Sequence, residues 1–227
     1  MIKEIEIENI YDLIDLVERH PGMYIGDARI SSLRSFLDGY QFAATVHNIE
    51  KKQVFPPFWY FHEWAMHKYG WGESTAGWKN IILEENQNDE ELALKKCFEL
   101  LKEFRTLKPK SIKRSKLNQT NIKFHHSENC KIKRSIDPVR QLTGPLYENA
   151  DEIFIVEFSH NFGFSIFVRL NDESIGLDWR ERFKTNEEAV DKSETLFGES
   201  LNWEYLTGDL LSWGNSIIKE NKAANKT

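Results

Sequence analysis

The chain has very little cysteine and no long apolar run. Its two cysteines among 227 residues, Cys97 and Cys130, cannot build a disulfide framework, so we expect both thiols to be reduced. No run of about 18 apolar residues occurs, and the sequence therefore predicts no membrane-spanning helix. Residues 1–6 alternate charged and apolar side chains and lack the apolar segment of a signal peptide. Together these absences predict a cytoplasmic location and no membrane partner.

The motifs of several common enzyme classes are also missing. The chain has no Gly-x-Ser-x-Gly, no Walker sequence and no glycine-rich dinucleotide loop, and its histidines and cysteines fit no zinc spacing. We therefore predict no metal, no cofactor and no catalytic residue. Cys97 lies among apolar neighbours and is expected to pack as a small hydrophobe. Cys130, beside Lys131 and Lys133, keeps a hydrolase with a cysteine nucleophile open as a third hypothesis.

Apolar residues recur at helical spacing through the first hundred residues. Asn9 is placed to cap a first helix that Pro21 ends, and a second helix is expected from about residue 31. Pro56 and Pro57 open an aromatic helix, and the clearest pattern predicts a helix over residues 90–104. The sequence therefore predicts a helical region over residues 1–108.

The second half changes to the period of a strand. Residues 153–158 and 164–170 predict two antiparallel strands joined by a turn at 161–163, and residues 174–179 a third strand. Helices are expected over residues 187–196 and 206–218. The predicted fold class is α+β, with a helical N-terminal half followed by a small antiparallel β-meander and flanking helices. Residues 136–227 form this α+β region, either with their own core or with one shared core.

The net charge of −6 is unevenly distributed. Residues 102–134 hold eleven Lys or Arg against two acidic residues, which leaves −15 on the rest of the chain. Polar residues run almost without interruption over 109–135, so we predict a basic linker or surface loop there. Its cations are candidates for binding nucleic-acid phosphates, since neutralisation needs only Lys and Arg: Lys110, Lys113, Arg114, Lys116, Lys131, Lys133 and Arg134.

One short stretch, His-Pro-Gly-Met-Tyr-Ile-Gly at residues 20–26, carries a resemblance. It is similar to the start of the ATPase domain of type II DNA topoisomerases, but the following helix lacks the Asn and acidic pair that would hold magnesium. The first hundred residues instead resemble a loose group of small bacterial cytosolic proteins, some of them linked to polymorphic-toxin immunity. The shared pattern has five parts. They are a Pro-x-Met-Tyr-Ile-Gly head at 21–26, a Leu-rich helix ending in Gly-Tyr at 33–40, a Phe…Trp helix at 58–64, a Gly-Trp-x-x-Ile-Ile step at 77–82 and an acidic helix at 89–104.

The resemblance implies a non-enzymatic immunity protein that neutralises a cognate bacterial toxin by covering its active site. An acidic body suits a basic nuclease as that partner, because opposite charges speed encounter. We expect the contact at acidic residues beside the meander, with one tryptophan as an anchor: Asp172, Glu173, Asp178, Trp179 and Glu181. The alternative is a nucleic-acid-associated bacterial defence protein that uses the basic segment 108–134.

Overall fold

The computed structural model describes residues 7–47, 54–72, 75–117, 150–170, 173–176, 182–197 and 200–217. The chain forms two compact units. We call Met1–Leu107 with Lys222–Thr227 the helical unit, and Lys108–Asn221 the sheet unit. Helices in the first and strands in the second confirm the predicted α+β class. No helix in the described ranges is long and apolar enough to cross a membrane.

The helical unit consists of short helices whose ends match their local sequence. Its α-helices are α1 Ile10–Arg19, α2 Pro21–Tyr24, α3 Ile30–His47, α4 Phe61–Tyr69, α5 Gly77–Glu85 and α6 Glu90–Phe104. A 3₁₀ turn, Phe58–Tyr60, directly precedes α4. Asn9 caps α1 as predicted: its side chain accepts from the Tyr11 N–H, and Asp12 accepts from the Asn9 N–H in return. The predicted helix over 90–104 is confirmed as α6.

Aromatic rings form the core of the helical unit. Phe61, Trp64 and Phe104 are fully buried, and the Phe104 ring lies 5.4 Å from that of Phe61 and 6.0 Å from that of Trp64. Trp78 of α5 joins them at 5.6 Å from Phe61. The aromatic stripe predicted from the sequence is therefore confirmed. Leu92 of α6 is apolar but 40% exposed.

The sheet unit is built on five antiparallel strands in the order β4-β3-β2-β1-β5. Its elements are β1 Pro109–Lys116, β2 Ala150–Phe158, β3 Gly163–Leu170, β4 Glu173–Gly176, α7 Asn186–Phe197, β5 Glu204–Tyr205 and α8 Leu210–Ile217. One face of the sheet packs on α7 through a buried apolar cluster that includes Ile153, Ile155, Ile166, Val168 and Ala189. Phe154, Val156 and Phe167, whose side chains point to the opposite face, are buried as well, so both faces of β2 and β3 are apolar and buried.

Gly163 shows why the β2–β3 turn needs a glycine. Its φ is +99°, and a Cβ at this position would lie 2.6 Å from the Phe183 carbonyl oxygen. Phe164 and Phe183 exchange both backbone hydrogen bonds at this point, at 2.9 and 3.0 Å. Only glycine combines this backbone conformation with such a close approach of a second chain segment.

Two predictions about local structure are wrong. The predicted basic linker 109–135 begins with a strand, β1, because its lysines and arginine find partners on neighbouring strands while Ile112 is fully buried; residues 118–149 lie outside the described ranges. The last helix begins at Leu210 rather than at 206, because Glu204 and Tyr205 pair with β1. Gly26 has a positive φ, whereas Gly22 lies within α2.

Candidate partner-binding site

Four charged side chains of alternating sign cross one face of the sheet. Glu204 of β5, Arg114 of β1, Glu152 of β2 and Arg169 of β3 form this series, which we call the ionic ladder. Glu152 lies at its centre, with one carboxylate oxygen 3.3 Å from Arg114 Nη1 and the other 2.5 Å from Arg169 Nη1. The Arg169 guanidinium also stacks 4.9 Å from the Phe154 ring. The ladder joins four of the five strands.

Two further cations of β1, Lys110 and Lys113, also have partners within the sheet unit. Lys110 Nζ lies 2.6 Å from Glu157 Oε1, and the Ser111 hydroxyl donates to the second oxygen of the same carboxylate at 2.9 Å. Lys113 donates to the Asn186 side chain at 2.7 Å and lies over the Tyr205 ring at 4.9 Å. These contacts pair much of the positive charge that the sequence analysis assigned to nucleic-acid binding.

Glu157 shows the electrostatic result of this pairing. Partial burial by itself would raise the pKa of Glu157, but the hydrogen bonds from Lys110 and Ser111 and the charge of Lys110 hold that pKa below its usual value. The carboxylate is therefore ionised and occupied by its neighbours. Glu157 is therefore part of an ion pair within the sheet, with both carboxylate oxygens already bonded, and is not placed to act as a general acid or base.

The predicted nucleic-acid residues separate into two groups. Lys110, Lys113 and Arg114 are the partnered side chains of β1, whereas Lys116 at the end of the strand is exposed. Three further candidates lie outside the described residues: Lys131, Lys133 and Arg134. The structure thus shows no continuous surface of unpaired cations along β1.

Most of the predicted acidic contact also lies outside the described residues. Glu173 is the first residue of β4, where its backbone pairs with Leu170 of β3. The remaining members are not part of the described ranges: Asp172, Asp178, Trp179 and Glu181. Their role in partner binding stays a prediction.

The described nucleophiles and metal-ligand types are in structural positions. Cys97 is completely buried in α6, and burial raises the pKa of its thiol far above the usual value, which confirms that it packs as a hydrophobe. Within the described ranges no group of three or more His, Cys, Asp or Glu side chains could hold a metal ion. Cys130 lies outside them.

The helical unit contains an open cleft that the sequence did not indicate. It encloses about 410 Å³ between the end of α2 and the first turns of α3, and it is lined by Tyr24, Ile25, Arg29, Ser31, Ser32, Ser35 and Phe36. Gly26, with a φ of +80°, lies in the turn between α2 and α3. Four of its seven lining residues, Tyr24, Ile25, Ser35 and Phe36, lie in two of the five segments that carry the sequence resemblance. The serines at 31–35 are the sequence feature that could have indicated this cleft, but serines are also common at the start of a helix.

The carboxylate of Glu90, the first residue of α6, lies at the N-terminus of α3 beside this cleft. Its carboxylate accepts from the Ser31 backbone N–H at 3.0 Å and from the Ser31 hydroxyl at 2.7 Å. Partial burial would raise the pKa of Glu90, but these two hydrogen bonds and the nearby charges of Arg29 and Lys79 hold it below its usual value. A protein carboxylate thus already satisfies the anion-binding end of the helix.

Comparison with known proteins gives no further assignment. No protein-family model, no curated protein and no solved structure matches this chain. The fold defines an α+β protein with a helical unit and a five-stranded antiparallel sheet unit.

Proposed function

We propose that this chain is a non-enzymatic binding protein, an immunity protein that neutralises a basic bacterial toxin by covering its active site. The observation that carries this proposal is the distribution of charge. Residues 1–107 hold 18 acidic and 12 basic residues, whereas residues 108–227 hold 18 of each. The excess negative charge of −6 therefore belongs entirely to the first 107 residues. A surface with this excess attracts a basic protein and repels nucleic acid.

The pairing of the β1 cations within the sheet unit supports the same proposal. Arg114, Lys110 and Lys113 are held by carboxylates, an amide and an aromatic ring of their own unit. Releasing them to a phosphate backbone would leave Glu157 without its cation and Glu152 with Arg169 alone. Nucleic-acid binding through β1 thus competes with the pairing that stabilises the strand, and the alternative function loses its main support within the described residues.

The predicted contact through the acidic group 172–181 belongs to this proposal. Asp172, Glu173, Asp178 and Glu181 would meet cationic side chains of the toxin, and Trp179 would fill an apolar pocket on it. An active site that binds phosphate is lined by cations, so a surface of carboxylates can occupy it without any chemistry of its own.

The experiment is a growth assay combined with purification from the native host. A tagged copy of the chain is purified at moderate salt, and a protein recovered in equal amount is identified. The gene for that protein is then expressed alone and together with this chain. We expect a basic protein that arrests growth alone and loses this effect when the chain is present.

The control is the Lys116→Ala variant, which changes an exposed cation of β1 without disturbing the ionic ladder. If nucleic acid is recovered instead of a protein, and this variant reduces the recovery, the immunity proposal is wrong and the nucleic-acid alternative replaces it. A partner whose expression never impairs growth contradicts the proposal as well.

A further inference from the structure

We draw no further inference here: the strongest candidate, the cluster of exposed carboxylates at the turn from α5 to α6 (Glu84, Glu85, Asp89 and Glu91), is an acidic surface patch, and nothing in the described part of the chain shows what binds to it.

Discussion

Glu152 is the central residue of the ionic ladder and the one whose removal should be most costly. It is 9% exposed and holds Arg114 and Arg169 on its two oxygens. Glu152→Ala would remove the carboxylate that two half-buried guanidinium groups share, leaving Arg114 with only the exposed Glu204 and Arg169 without its ion-pair partner. We expect the free energy of unfolding, measured in urea, to fall by about 3 kcal/mol.

Glu204→Ala is the matched control for that change. Glu204 pairs with the same arginine, but its side chain is 59% exposed. Water can replace it, so we expect a loss below about 1 kcal/mol. Equal losses for the two variants would show that the ladder does not depend on burial of its centre.

Glu90 should make the stability of the helical unit depend on pH. Its pKa is lowered in the folded state, because the Ser31 hydrogen bonds and nearby cations offset the effect of partial burial. Its contribution is therefore fully present above the unfolded pKa of about 4.3, and it is lost as the pH falls through the lower folded value.

We expect Glu90→Gln to reduce the free energy of unfolding by about 1 to 2 kcal/mol at pH 7. The wild type and the variant should then converge as the solution is made acidic. Urea unfolding at a series of pH values measures this difference, with the exposed Glu84→Gln as the control. A difference that persists unchanged at low pH would contradict the role of the carboxylate.

At the scale of the element, α3 should be more stable with alanine than with its own glycine. Gly39→Ala places a methyl group in open space, so it removes backbone freedom from the unfolded chain without any clash. We expect the free energy of unfolding to rise by about 1 kcal/mol. Thermal or urea unfolding measures it, and a loss of stability would show that the site is crowded.

The elements differ in how well the sequence predicted them. α6 follows directly from its 90–104 pattern, because its apolar spacing and its cap at Asp89 are local features. β1 does not, because its lysines and arginine suggest a solvated loop until Glu152, Glu157 and Glu204 are brought beside them. Those partners are 38 to 90 residues away in sequence, and no local pattern indicates such a pairing.

At the scale of the whole molecule, charge should control the rate of partner binding. Under the proposed function, the excess of −6 in residues 1–107 would steer a basic protein during encounter, and salt would screen this attraction. We expect the association rate with the basic partner to fall about tenfold or more between low and high salt, while the dissociation rate changes much less. Stopped-flow measurements over a salt series check this, and an association rate independent of salt contradicts it.

The candidate site was less accessible to sequence reasoning than the fold. The acidic group 172–181 was selected because its charges are adjacent in sequence, and it remains a prediction. The sequence pattern does not single out Phe42 and Val46, because Leu33, Leu37 and Ala44 already supply an apolar side for α3. Only the packing shows which of the two apolar sides is covered.

The sequence by itself determined the α+β class, the helix caps and the aromatic core of the helical unit, because periodicity and capping act between near neighbours. It also determined the −6 excess over residues 1–107. The tertiary structure alone decided the pairing of β1, the cleft beside α3 and the exposure of Phe42. These depend on contacts between segments distant in sequence, where packing and charge pairing outweigh local preference.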